Sequence, residues 1–340
     1  MMHFQCLRHL VFAALVAIVC SSQAWAESKE VRFADQPGGF LYVPLHVVID
    51  QKLIEKYAAK AGLGEVKVTK TTMTGGAAMN DALLSGNLDF VIAGIAPLLT
   101  IWDKTKGRND VKAIMAIAAE PLEFVSSDPR VKTINDILNV PDHRIAVPAI
   151  RTSMQSVILQ MVADKNFGDP FKFDPLTVSM PHPDALAAVL GGKSAVKTHG
   201  ATLPFSYLEL HAKDKATHLV LNSYDVVGPH TLVVMYNTRK WKEENPKLFQ
   251  AVYDAFQEAF RWINADLHRA AKFYKEFDQP KLDLAQIDEI ITDKAQMFYD
   301  PAPQGTMKFA EFMHKTKMLN NMPSSWKDYM WEPVHALNGN

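Results

Sequence analysis

Arg151 stands directly ahead of Thr152 and Ser153, where the apolar run HRIAVPAI gives way to the helical pattern SMQSVILQMVADKNFG. An arginine beside two hydroxyls at a helix start joins a bidentate cation to O–H and N–H donors, the chemistry that holds a carboxylate or sulfonate. A solvated surface arginine is the alternative. Glu120, just before Pro121, is placed either to accept from a substrate amine or to pair with Arg151 as a salt bridge. His182, His199 and His230 each follow a short apolar run. With Glu120 they contain metal-ligand types, yet no two are at helical or strand spacing, so no metal is expected and His199 is read as a neutral imidazole facing a bound oxygen. The chain lacks Gly-x-Ser-x-Gly and His-Glu-x-x-His motifs and any closely spaced acid pair that the expected fold would put in a cleft, so no catalytic residue and no cofactor is expected.

The elements that position these residues alternate. From Glu30 onward, β-rich runs (EVRFADQ, EVKVTKTTM, LDFVIAG) are separated by the helical patterns VPLHVVIDQKLIEKYAAKAG and GAAMNDALLSG, which implies βαβ crossovers and parallel sheets. The programme restarts at His143. ALLSGNLDFVIAG superposes on AAVLGGKSAVKTHG with Gly86 on Gly192 and Gly94 on Gly200, a pseudo-repeat that points to two similar α/β lobes. TLVVMYN reads as a strand without a copy in the first half, followed by one long amphipathic helix from Asn245 to Tyr274. Crossings between lobes are expected near Pro121–Phe124 and Gly228–Leu232, forming a two-segment hinge.

Ligands of open parallel sheets bind beyond the carboxyl ends of the strands. The loops there are rich in small residues: Gln36, Gly38 and Gly39; Thr74 and Gly75; Gly94 and Ile95; Glu120; Arg151, Thr152 and Ser153; His199; and His230. Several open helices, whose free N–H groups and positive dipole ends favour anions. These thirteen residues are the expected binding set.

HLVFAALVAIVC, preceded by Arg8 and followed by Ala24-Trp25-Ala26, has the form of an export signal cut after Ala26. A lipid anchor on Cys20 is the competing reading, disfavoured by Val19 ahead of it. Both cysteines, Cys6 and Cys20, fall in this segment, so disulfide and thiol chemistry is not expected of the mature chain. A net charge of −1, without a long basic run, argues against nucleic acid or a membrane surface as partner. The expected organisation is a signal peptide at 1–26, a first lobe at 27–122, a second lobe at 123–229, and a return with C-terminal helices at 230–340.

VRFADQPGGFLYVPLHVVIDQKLIEKY, MTGGAAMNDALLSGNLDFVIAGIAP, RIAVPAIRTSMQSVILQMVADK and LFQAVYDAFQEAF together resemble the periplasmic substrate-binding proteins of ABC importers of the nitrate, sulfonate and taurine type, with pyrimidine-precursor binders as relatives. The resemblance implies a type II periplasmic binding protein: two α/β lobes, a cleft between them, closure about the hinge, and delivery of ligand to a permease and its ATPase. It also implies that Asp89 is structural and that Gly94 and Ile95 face ligand. Arg151 departs from the small residue usual in that helix start, and the cysteine-rich motif of the pyrimidine-synthesising relatives is absent. The implied function is a non-enzymatic, monomeric, periplasmic carrier of a small organic anion. Nitrate or bicarbonate, a thiamine pyrimidine precursor, and a sensor domain serving a membrane kinase are the alternatives. If Arg151 holds the anion, Arg151→Ala weakens its binding at least tenfold in a titration, with little change in melting temperature.

Overall fold

The computed structural model describes residues 26–37, 39–213 and 215–340, so the expected leader up to residue 25, both cysteines and Gly38 lie outside the described residues. The chain opens with β1 (Glu30–Asp35), α1 (Val43–Asp50), α2 (Leu53–Lys60), β2 (Lys67–Thr72), α3 (Gly76–Leu84), β3 (Phe90–Gly94), α4 (Ile95–Thr105) and β4 (Val111–Ala119). A second set follows: β5 (Glu123–Ser126), β6 (Arg144–Val147), α5 (Met154–Phe167), β7 (Thr177–Ser179), α6 (His182–Gly191), β8 (Val196–Ala201), α7 (Leu203–Leu210), β9 (His218–Asn222) and α8 (Ser223–Val227). The return comprises β10 (Thr231–Thr238), α9 (Arg239–Glu244), α10 (Pro246–Ala265), α11 (Leu267–Asp278), α12 (Leu284–Thr292) and α13 (Met307–Lys315).

These strands form two five-stranded sheets, ordered β2-β1-β3-β10-β4 and β7-β6-β8-β5-β9. The sheets are mixed rather than purely parallel: β10 runs antiparallel to β3 and β4, and β5 antiparallel to β8 and β9. The two orders superpose, so TLVVMYN does have a counterpart, the four-residue β5. Its shortness hides it in the sequence. Each sheet's antiparallel strand is the one that enters it from a crossing, Glu120–Leu122 before β5 and Gly228–His230 before β10.

The pseudo-repeat has a backbone basis. Gly86 and Gly192 have φ of 74° and 71°, ending α3 and α6 in the left-handed region that glycine enters without strain and turning the chain into β3 and β8. Two expected helices are broken in two. The first breaks at Lys52 (φ 51°), between α1 and α2. The second breaks at Asp266, whose extended backbone and side-chain bond to the Arg269 N–H start α11 afresh.

The first lobe is built on β1, β3, β10 and β4, whose apolar side chains are buried. Phe33 stacks on Phe90 at 5.4 Å between ring centres, and Phe256 of α10 closes on Phe33 at 6.1 Å. Helix α10 turns Leu248, Val252, Phe256, Ala259 and Ile263 inward at three- and four-residue spacing, the stripe that seats it against α1 and α2. The C-terminal tail runs along the free edge of β4: the N–H groups of Ala119, Ala116 and Trp331 bond to the carbonyls of Phe298, Pro301 and Ala113.

Asp89, at the entry to β3, is buried and accepts from the backbone N–H of Arg32 (2.8 Å) and from two of its guanidinium nitrogens (3.0 and 2.7 Å). It thereby ties the start of β3 to β1. Asp89→Ala is expected to lower the unfolding free energy by about 2 kcal/mol in denaturant titration, because it strands three charge-assisted donors.

Candidate functional site

The carboxyl ends of both sheets face one cavity of ≈ 540 Å³. The first lobe supplies Gln36, Gly39, Tyr42, Gly75, Gly76, Gly94 and Pro97; the second supplies Pro148, Ser153, Met154, Gln155, His182 and Thr202; β10 adds Leu232 and Val233. A space of ≈ 480 Å³ lined by Thr74, Ser179, Met180 and Pro181 adjoins it, sharing Gln36, Gly75, Pro148 and His182.

Five helices begin at this cavity. Gly75 precedes α3, Gly94 precedes α4, Ser153 precedes α5, His182 opens α6 and Thr202 precedes α7. Only α5 is capped by the side chain of its own N-cap residue, Ser153 Oγ accepting from the Ser156 N–H; the first N–H of α7 is taken by the Glu120 carboxyl and the Ala96 N–H of α4 by Met154 Sδ, which leaves α3 and α6 as the starts without a side-chain partner among the described residues. Helix starts without caps leave N–H groups and partial positive charge pointing outward, so they jointly favour a negatively charged group. Among the described residues, no lysine or arginine lies on the cavity wall.

One start is met from the opposite lobe. Met154 reaches across so that its Sδ accepts from the Ala96 N–H at 3.2 Å. Gly94 makes this approach possible, since a Cβ there would lie 2.5 Å from Met154 Cγ. Leu41, Tyr42, Pro97, Met154, Leu232 and Val233 give the wall an apolar side. The polar positions are arranged by their own bonds: Gln36 donates to Tyr42 Oη at 3.0 Å, and Gln155 lies 3.5 Å from His182 Nε2.

Of the residues singled out from sequence, Gln36, Gly39, Gly75, Gly94 and Ser153 line the main cavity, and Thr74 lines its extension. Gly38 lies outside the described residues. Arg151 is not on the wall. Its guanidinium donates to Asp174 at 2.6 Å and lies over the Phe171 ring, with the side chain 61% exposed, while Thr152 is half-buried beside it. Arg151 has a left-handed backbone (φ 64°). Ile95, the first residue of α4, is buried in the core. His230 is buried in the second crossing, where Nδ1 bonds to the Gly228 carbonyl at 2.9 Å and burial lowers its pKa to about 4.

His199 is likewise buried, behind the wall rather than on it. Its Nδ1 is 2.7 Å from Glu209 and its Nε2 is 2.7 Å from His182 Nδ1. Glu120 is wholly buried in the first crossing and does not meet Arg151. Its carboxyl accepts from the Leu203 N–H at 3.2 Å, and its second oxygen has no partner among the described residues. Burial, partly offset by that N–H, pushes its pKa up to about 8.

Sequence reasoning missed Met154, Gln155 and Thr202 as wall residues, weighed Tyr42 between ligand and core without choosing it, and chose His199 over His182. For Thr202 a signal existed: a threonine two positions before Pro204 marks a helix start. Among the described residues, no group of three or more His, Cys, Asp or Glu is placed to hold a metal ion, and no helix is long and apolar enough to cross a membrane.

The pattern of the NMT1-like family matches residues 41–275. The chain belongs to the NMT1-like family. No curated protein sequence matches it. Among solved structures, the fold of this NMT1-like chain is similar to the alkanesulfonate-binding protein SsuA from Xanthomonas axonopodis pv. citri bound to MOPS, at 17% identity and a TM-score of 0.67, covering 90% of this chain and 99% of that one. It is similar to the periplasmic aliphatic sulphonate binding protein SsuA from Escherichia coli, at 16% identity and a TM-score of 0.63, covering 90% and 93%. It is also similar to the periplasmic nitrate-binding protein NrtA from Synechocystis PCC 6803, at 15% identity and a TM-score of 0.66, covering 89% and 84%. The two-lobed architecture is therefore that of the periplasmic binding proteins.

The buried carboxyl of Glu120 gives a pH signature. Its folded pKa of about 8 is above the ordinary 4.5, so the stability tied to its neutral form is complete below 4.5 and is lost as pH rises through 8. Glu120→Gln keeps an acceptor for the Leu203 N–H and carries no charge. Its melting curves should match wild type near pH 4.5, with an advantage growing by up to about 1 kcal/mol per pH unit toward pH 8.

Proposed function

We propose that this NMT1-like protein is the solute-binding component of an ABC import system, capturing a small organic anion, a sulfonate or carboxylate, between its lobes and delivering it to a membrane permease. The observation that carries this reading is the convergence of five helix starts, two of them (α3 and α6) without any side-chain partner among the described residues, on one cavity with an apolar side. The anionic head is held by backbone N–H groups with Gln36, Thr74, Ser153, Gln155, His182 and Thr202 around it, and the organic body lies against Tyr42, Leu232 and Val233. The apolar side supports an organic anion over nitrate or bicarbonate. Contacts from both lobes make the closed form the ligand-bound one, with Glu120–Leu122 and Gly228–His230 as hinge. The protein acts in the periplasm as a monomer, performs no catalysis, and meets the ATPase only through the permease.

The test is a thermal-shift and calorimetric screen with alkyl sulfonates, carboxylates, nitrate, bicarbonate and pyrimidines. A rise in melting temperature with sulfonates or carboxylates, larger for longer alkyl groups, supports the reading. A response confined to nitrate, bicarbonate or pyrimidines, or to none of the panel, overturns it. Gln155→Ala is expected to weaken binding about tenfold, the loss of one hydrogen bond to a charged group. Because Arg151 is already engaged by Asp174 away from the wall, Arg151→Ala is now expected to change affinity less than about threefold, revising the tenfold sequence expectation.

A further inference from the structure

Behind the second-lobe wall runs a buried chain of three ionisable side chains. His182, at the start of α6, borders the cavity; its Nδ1 is 2.7 Å from Nε2 of His199 on β8, and His199 Nδ1 is 2.7 Å from Oε1 of Glu209 on α7. His199 and Glu209 are fully buried, and His182 is 8% exposed. At the cavity end, His182 Nε2 is 3.5 Å from the Gln155 amide. At the other end, Glu209 Oε2 is buried and has no partner among the described residues.

We infer that this chain is a proton relay in which Glu209, remote from the ligand, decides whether His182 presents a hydrogen-bond donor or an acceptor to the cavity. The inference deepens the anion-site reading and rests on it for the choice of ligand. With one proton fewer, Glu209 is a carboxylate accepting from His199 Nδ1–H; His199 Nε2 accepts from His182 Nδ1–H; and His182 Nε2 is a bare acceptor. A proton arriving at His182 Nε2 moves every member by one place. The Nδ1 proton of His182 passes to His199 Nε2, and the Nδ1 proton of His199 passes to Glu209 Oε1. One proton is taken up, the carboxylate becomes neutral, both imidazoles stay neutral, and His182 now offers Nε2–H to an oxyanion.

The unpartnered Oε2 fixes the direction, because among the described residues the proton of a neutral Glu209 finds an acceptor only through Oε1, at His199 Nδ1. Burial raises the Glu209 pKa well above the usual carboxylate range and keeps both histidines neutral, which favours the donor form. Other ionisable groups on the surrounding elements are turned elsewhere. Glu123 on β5 bonds Asn222, Lys197 on β8 bonds the Gly192 carbonyl, and Asp164 on α5 pairs with Lys315. His143 bonds Thr198, Glu120 bonds the Leu203 N–H, Arg144 on β6 is half-buried, and Asp184 on α6 and Lys165 on α5 are exposed.

The test is long-range proton–nitrogen correlation on histidine-labelled protein from pH 5 to pH 10, without ligand. The expected result is that His182 and His199 stay neutral and exchange Nε2–H for Nδ1–H together, with one shared midpoint, and that Glu209→Gln abolishes the exchange. Ring protons that stay on the same nitrogens throughout in the wild type, or an exchange that persists in Glu209→Gln, would overturn the relay; the wild-type measurement decides even if the variant does not fold. Methanesulfonate, whose own charge is constant over this range, is then titrated calorimetrically in buffers of differing ionisation enthalpy. Uptake of one proton above the midpoint, with affinity falling tenfold per pH unit, supports the coupling, and binding without uptake there overturns it. Absence of methanesulfonate binding beside a clear tautomer exchange overturns the anion reading while supporting the relay.

Discussion

Each sheet contains one strand that runs against its neighbours, and that strand lies next to the crossing between lobes. This constraint organises the molecule. A parallel sheet has all its carboxyl ends on one side, and a chain that left it by another crossover helix would stay on the same sheet. Inserting β10 between β3 and β4, and β5 between β8 and β9, brings each crossing into the middle of a buried sheet. The crossings are thereby short and buried, and both sets of carboxyl ends face the same space.

Burying the crossings obliges their polar groups to find internal partners. The Leu122 N–H bonds Ser223 Oγ at 2.8 Å and the Ser223 N–H returns to the Leu122 carbonyl, so one crossing is stitched to the start of α8. Glu120 takes the first N–H of α7, joining the same crossing to a helix that begins at the cavity. Lys308 of α13 donates to the Val227 carbonyl beside the other crossing. The hinge is thus connected to cavity-lining elements through hydrogen bonds rather than through loose linkers.

Much of this was legible in the sequence, for local reasons. Glycine at the ends of α3 and α6 announced the duplicated turn, and the small residues after β1, β2 and β3 marked the cavity rim because backbone approach needs them. Two kinds of information were not local. Whether a polar residue at a strand end faces cavity or core depends on the register of its strand: His199 pairs with Val125 and Ala146 in the middle of its sheet and is fully covered, whereas His182, on the helix that follows β7, is buried but borders the cavity. The partner of an arginine is equally invisible, since Asp174 is 23 residues beyond Arg151 in sequence. The approach of Met154 to Gly94 depends on the distance between lobes, which no run of residues encodes.

A cavity wall that carries no lysine or arginine among the described residues has a kinetic consequence. Mobile cationic side chains attract anions from a distance and lose that pull in salt, whereas helix starts act only within the first turn. A chain of net charge −1 supplies no long-range attraction of its own. Encounter of any anion with such a site proceeds at an unguided pace and is nearly indifferent to ionic strength.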